Sequence, residues 1–187
     1  MAKLIIYLAL VLCLISQTKA ADAELPVVGD FDVSKYMGHW YMVSGIASVV
    51  DFFCICTQTT YTIDPTNSSK VNFDEFCRVK FTWAPIVHSH SYAEVDPIEK
   101  AKWINVNPIV GTLAARADYY IIDVDPAYEW ALVGSRSRVN LYVLGRAKVM
   151  SDDLHKSILE KAATLGFDIT KVELTNQSCS EDSFLSI

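Results

Sequence analysis

The chain has 187 residues, 51% of them hydrophobic and 20% charged, with a net charge of −6. That length and apolar content suffice for one sizeable core and exclude a disordered chain. The acidic balance excludes nucleic acid as a partner, because phosphate binding needs clustered Lys and Arg. The close basic pair Arg136 with Arg138 reads as a solvated hairpin turn.

Residues 1–20 read as a signal peptide. Lys3 supplies the positive start, 4–15 an apolar stretch of 12, and Thr18-Lys19-Ala20 a small-residue cleavage site before Ala21, with Ala23 as a second cut. The stretch is shorter than the roughly 20 residues of a membrane helix, so 21–187 is expected to be one secreted, soluble domain. Cys13 follows Leu12, a poor setting for lipid attachment. Cleavage removes Lys3 and Lys19 and leaves 14 basic against 22 acidic side chains, a charge of −8. It also leaves four cysteines, Cys54, Cys56, Cys77 and Cys179, for which an oxidising compartment predicts two disulfides in one of three connectivities. Asn67-Ser68-Ser69 and Asn176-Gln177-Ser178 are glycosylation sequons at Asn67 and Asn176.

Residues 31–37 predict a short helical turn with Asp32 as its cap. Runs rich in Val, Ile, Tyr, Phe, Thr and Trp follow, broken at Asp64-Pro65-Thr66-Asn67, Asp96-Pro97, Asn107-Pro108, Asp125-Pro126 and Ser135-Arg136-Ser137-Arg138. They predict strands at 40–48, 53–63, 70–82, 86–95, 100–106, 117–124, 129–135 and 139–147. Eight strands without intervening helices suit an all-β, up-and-down antiparallel barrel able to hold one ligand. Residues 151–165 predict a helix capped by Ser151 or Asp152 and ended by Gly166; Leu154, Ile158, Ala162 and Leu165 form one apolar stripe, so it should pack outside the barrel. A short edge strand is expected at 171–175.

Gly38-His39-Trp40-Tyr41 on the first strand is answered by Leu144-Gly145-Arg146 on the last. A Trp face and a guanidinium attract by about 0.5–2 kcal/mol when partly desolvated, so Trp40 and Arg146 can close one end of the barrel. If Arg146 points inward under Trp40, alternation puts Leu144, Tyr142, Asn140, Met42 and Ser44 on the inner face as well, a mostly apolar cup. The aromatics Tyr61, Trp83, Tyr119, Tyr120, Trp130 and Tyr142 are expected to pack the barrel, two or three of them lining its cavity.

In this setting the chain resembles the lipocalin family. The helical turn with Gly38-His39-Trp40-Tyr41 matches its first motif and Leu144-Gly145-Arg146 its third. Asp125 with Tyr128 looks like its second, departing from the commonest form at Val124 and Pro126. The spacing is similar to the branch of apolipoprotein D, bacterial outer-membrane and plant temperature-induced lipocalins, over roughly 31–178. The resemblance implies a carrier of a small hydrophobic ligand, with fatty acids, lysolipids, sterols, retinoids and bilins as candidates. Counting as in that branch, from the second-strand Cys56 and from Arg146, points to Tyr61 and Tyr142 as ligand contacts. If Tyr61 faces in, Cys56 and Cys54 face out, and the resemblance implies a Cys56–Cys179 bond to the tail. Cys54 and Cys77 remain as partners. A turn centred between Pro65 and Thr66 would set them opposite each other, whereas one nearer Asn67-Ser68 would separate them.

Two readings from other classes stay open: a lipid or carotenoid isomerase using Cys54 or Cys77 as a thiolate, and a module acting through its loops. His88-Ser89-His90 has spacing that could help hold zinc but no clear third ligand, so surface histidines are expected and no metal or cofactor is assigned. No G-x-S-x-G, phosphate loop, H-E-x-x-H or close carboxylate dyad is present, which argues against an enzyme. Oligomeric state, and contact with a membrane or receptor, are not read from the sequence.

Overall fold

The structure, a computed structural model, describes residues 24–46, 53–80, 86–108 and 117–179. The signal peptide reading at 1–20, and Trp83, lie outside them. One helical turn, α1 (Val33–Tyr36), precedes eight antiparallel strands: β1 (Gly38–Ile46), β2 (Cys54–Asp64), β3 (Asn67–Val79), β4 (Ile86–Val95), β5 (Lys102–Pro108), β6 (Ala117–Val124), β7 (Trp130–Gly134) and β8 (Leu141–Gly145). The helix α2 (Asp152–Thr164), a 3-10 turn (Ile169–Lys171) and a short ninth strand, β9 (Val172–Leu174), follow.

Local chemistry explains the element ends. The Asp32 carboxylate accepts from the Ser34 and Lys35 amides and caps α1. Ser151 caps α2 by accepting from the Leu154 amide, and Gly166 at φ +89° ends it in the left-handed region open to glycine. At the β2–β3 turn Asp64 Oδ1 accepts from the Thr66 and Asn67 amides; at the β6–β7 turn Asp125 Oδ2 accepts from Ala127 and Glu129.

Consecutive strands pair from β2 through β8, β8 pairs with β1, and β1 pairs back to β2 through Gly38↔Tyr61 to Tyr41↔Gln58, closing the barrel. One apolar cluster fills the inside around Trp40, Tyr61, Phe73 and Trp103. A second lies outside, where Ile158 and Ala162 of α2 pack on Val43, Leu132, Leu141 and Val143. The single apolar stripe of α2 thus covers one outer face of the sheet.

Two bulges change which way side chains face. In β1 the register shifts between Met42 and Ser44, so Val43 and Ser44 both face α2. Ser44, expected on the inner face, is instead fully buried outside it, with its hydroxyl 2.7 Å from His155 Nε2. Burial lowers the His155 pKa, opposed by the Asp152 charge. A depressed folded value means that this imidazole contributes stability above its free pKa of about 6.5, lost as pH falls below it through the folded value. The thermal midpoint should therefore fall more steeply between pH 7 and 5 in the wild type than in His155→Gln, by roughly one to three degrees; parallel profiles would contradict this.

In β2 the register shifts between Ile55 and Gln58, with Cys56 at φ +55°. The turn register expected from Pro65-Thr66 holds only for Asp64↔Asn67; a shift at Ile63/Asp64 and the Cys56 bulge then leave Cys54 opposite Val79. Cys54 and Cys77 are nevertheless bonded, with Cα atoms 5.5 Å apart. Because β3 pairs with β4 without interruption, Cys77 shares the inward face of Phe73. Its partner Cys54 therefore also faces inward, not outward as expected, while Cys56 faces the tail.

Candidate functional site

The closed end is built on Arg146. Its guanidinium lies 3.8 Å above the Trp40 ring centroid. It donates from Nη1 to the carbonyl of His39 (2.7 Å), from Nη2 to those of Lys35 (3.0 Å), Tyr36 (3.3 Å) and Met37 (2.9 Å), and from Nε to that of Tyr128 (3.2 Å). These are carbonyls that α1 and the loop ends leave without helical partners, which a fixed fork of donors can collect. Trp40 Nε1 also donates to Tyr36 (2.7 Å). Gly38, at φ +95°, lets the chain turn into β1 beside Arg146. Asp125 sits at the same end, ordering the β6–β7 turn, and Tyr128 accepts from the Asp32 amide through its hydroxyl (2.8 Å).

Above this closure lies a floor of aromatic rings. Tyr36 stacks on Trp40 (4.8 Å), Tyr119 on Trp103 (5.2 Å), and Tyr61 meets Phe73 edge-on (4.9 Å). Three phenols converge: the Tyr119 hydroxyl is 2.8 Å from that of Tyr36 and 2.7 Å from that of Tyr61. Burial, first of all causes, raises the pKa of each, so all three are neutral at physiological pH. Each phenol thus keeps a proton for hydrogen bonding within an apolar enclosure.

The residues expected to touch a ligand are spread over this interior. Tyr61 (2% exposed) and Leu144 (5%) belong to the packed floor. Met42 and Tyr142 pack against the inner cluster but remain half-buried. Gly45 faces Tyr142 across the β1–β8 pair, where a Cβ would come within 2.9 Å of the ring. Asn140 lies in the loop before β8, not on the strand: its amide donates to Ser135 Oγ (3.1 Å) and its carbonyl accepts from the Ser135 amide (3.1 Å). Tyr119, one of the aromatics expected to pack the barrel, lies half-buried on the inner cluster, alternating with the outward Tyr120 and Ile122. Trp130 and Tyr120 pack with the outer cluster, beneath α2.

The tail completes the wall. β1 and β2 pair only in their halves near the closed end; beyond Tyr41, β9 takes the edge of β1, with Ser44↔Leu174 to Ile46↔Val172. Thr175 donates to Val43 and Cys56 donates to Asn176 through backbone bonds of 2.9 and 2.7 Å, and Gln177 Nε2 donates to the carbonyls of both Met42 and Thr57. The Cys56–Cys179 disulfide pins this segment. A cavity of about 290 Å³ lies at the seam, lined by Met42, Gly45, Cys54, Lys80 and Glu173 among others. Asn67 and Asn176 are both exposed, their side-chain oxygens accepting from the Ser69 and Ser178 amides. His88 and His90 face outward against one oxygen of Asp74, at 3.5 and 2.8 Å.

An eight-stranded antiparallel barrel, closed at one end by a Trp–Arg pair and carrying one helix outside, defines the class: a closed β-barrel with an apolar inner face. Residues 31–177 match the model of the lipocalin-like domain, and the chain belongs to the lipocalin family. It is 29% identical over 163 residues to temperature-induced lipocalin-1 of Arabidopsis thaliana, covering 83% of this chain and 84% of that protein. It is 24% identical over 147 residues to the outer membrane lipoprotein Blc of Citrobacter freundii, covering 78% and 79%. Among solved structures it is similar in fold to insecticyanin from the tobacco hornworm Manduca sexta (TM-score 0.66, 15% identity, 86% of this chain and 87% of that one). H1 crustacyanin from the lobster Homarus americanus is similar as well (TM-score 0.65, 12% identity, 88% and 95%).

Proposed function

We propose that this chain is a secreted carrier that holds a small hydrophobic ligand against the inner face of its barrel. The observation that carries the reading is the state of Met42, Tyr119 and Tyr142. All three pack against the inner cluster yet stay half-buried, Tyr119 at the edge of the aromatic floor and Met42 and Tyr142 above it. Inward apolar side chains that the protein does not itself cover are what a ligand would cover. Each 100 Å² of apolar surface so removed from water contributes roughly 2.5 kcal/mol before the costs of binding. Tyr142 and Met42 would meet the ligand from the side, and Tyr61 and Leu144 from below. Asn140, at the mouth-side hairpin, would act at most on the ligand's outer end. Fatty acids, lysolipids, sterols, retinoids and bilins remain the candidate classes.

Two further findings support the reading. All four described cysteines are paired, which fits an oxidising compartment and leaves neither Cys54 nor Cys77 as the thiolate an isomerase of that kind needs. The Trp40–Arg146 closure holds backbone and ring, leaving the inner face above it to the ligand.

Titration with the candidate ligands should give saturable quenching of intrinsic fluorescence, and Tyr142→Ala should weaken binding about tenfold while moving the thermal midpoint by only a few degrees. Absence of saturable quenching by every class would sink the proposal. Mass spectrometry of the organic extract from protein purified from its own source should name the ligand.

A further inference from the structure

The three phenols of the floor carry more protons than they can spend on one another. Tyr36 comes from α1, Tyr61 from β2 and Tyr119 from β6, and the Tyr119 hydroxyl sits between the other two, at 2.8 and 2.7 Å. A phenol has one proton to donate and lone pairs that accept. Two contacts among three hydroxyls therefore spend two protons, whichever way each bond runs, and leave one. Extending the chain to the Thr59 hydroxyl beside Tyr61 changes nothing, because a fourth hydroxyl brings its own proton along with the extra contact. Among the described residues, no carbonyl or carboxylate accepts from any of the three phenols. A buried donor calls for an acceptor, and here the protein supplies none. Tyr36 is fully buried and Tyr61 nearly so, whereas Tyr119 stays half-buried at the edge of the floor, below Met42 and Tyr142.

We propose that the Tyr119 hydroxyl, backed by those of Tyr36 and Tyr61, is a hydrogen-bond donor at the bottom of the cup that receives an uncharged carbonyl at the leading end of the ligand. This rests on the carrier reading and adds to it the chemistry of the ligand's buried end. With Tyr36 and Tyr61 donating to Tyr119, the phenol that borders the cup holds the remaining proton and gives it to the ligand. Accepting two bonds polarises the Tyr119 O–H and strengthens its own donation. Burial raises the pKa of all three phenols, so the cluster offers a donor and no charge at physiological pH. The rings of Trp40, Phe73 and Trp103 surround it with apolar surface, where a carboxylate or an ammonium would give up its hydration without an opposite charge to replace it. The Arg146 guanidinium is spent on backbone carbonyls and on the Trp40 ring. A ketone, aldehyde or ester oxygen needs only the one donor, and the apolar remainder of such a ligand lies along Met42 and Leu144.

The test titrates the mature, disulfide-bonded protein at pH 7 with 2-dodecanone and with 1-chlorododecane, a probe of matching length whose chlorine is a poor acceptor, read by intrinsic fluorescence. Tyr119→Phe keeps the ring stacked on Trp103 and removes only the hydroxyl. It should weaken binding of the ketone about five- to tenfold and leave the chloride unchanged. Tyr92→Phe, which removes a phenol from the outer face beside Lys70, should alter neither probe. Infrared spectra of the ketone bound to the wild type should place its C=O stretch below the band it shows in hexane, and Tyr119→Phe should return the band toward hexane. A loss shared equally by ketone and chloride, or no loss for the ketone, overturns the subsite. A wild-type C=O band at its hexane position does so too, and needs no variant to fold. Saturable binding by any candidate class keeps the carrier reading in each of these cases, and also where the ketone alone fails to bind, which again overturns the subsite. If neither the probes nor the candidate classes bind saturably, the carrier reading fails and the subsite with it.

Discussion

Replacing Arg146 by Ala should destabilise the barrel by about 2–4 kcal/mol, read as a lowered urea midpoint at unchanged slope. The guanidinium donates to five carbonyls, His39, Lys35, Tyr36, Met37 and Tyr128, and covers the Trp40 ring. The ring contact alone is worth about 0.5–2 kcal/mol. The rest of the loss comes from carbonyls left without this donor at the partly enclosed end of the barrel, among which the Tyr36 carbonyl keeps a second partner in Trp40 Nε1. Arg146→Lys should recover less than half, because an ammonium keeps the charge but cannot span the fork of acceptors. Ligand affinity of whatever fraction stays folded should be unchanged, since the pair lies below the aromatic floor. A loss under about 1 kcal/mol in Arg146→Ala would show that α1 and β1 hold the closed end without it.

The second large effect is expected at the seam. Cys56→Ser with Cys179→Ser removes a crosslink between residues 123 apart in sequence. The chain-entropy model puts this at about 4–5 kcal/mol, and measured losses for native disulfides run from about 2 to 5. The double variant should also release the tail: the amides of Thr175 and Cys56, bonded to Val43 and Asn176, should lose hydrogen-exchange protection. Cys54→Ser with Cys77→Ser should cost about 1.5 kcal/mol less in the same model, because its residues are only 23 apart and the β2–β3 pairing already holds the loop. Equal losses from the two double variants, or unchanged tail protection, would contradict the strap.

Much of the fold was legible in order along the chain. Asp32 before α1, Ser151 before α2, Gly166 after it, and the Asp64 and Asp125 turns are local devices whose partners lie within four residues. Such contacts depend on the sequence nearby and little else, so they can be read there. Trp40 and Arg146 were legible for a different reason: their side chains match in chemistry, and a closed sheet must bring its first and last strands together. The faces on which Ser44 and Cys54 lie were not legible. Each depends on an unbroken count of alternation from a known inward residue, and the count fails wherever a bulge inserts a residue. Ser44 and Cys54 lie just past such points at Val43 and Cys56, and both were placed on the wrong face.

The sequence by itself determined the eight strands, the outer helix, and the end at which the barrel closes. These follow from periodicity, capping and composition, all of which act over a few residues or over the whole chain at once. Only the tertiary structure decided that β1 and β2 part above Tyr41, that the tail fills the gap, and that three phenols from α1, β2 and β6 meet on the floor. Those outcomes turn on register between segments far apart in the chain. A one-residue shift there costs little in the local pattern but reverses the face of every side chain beyond it.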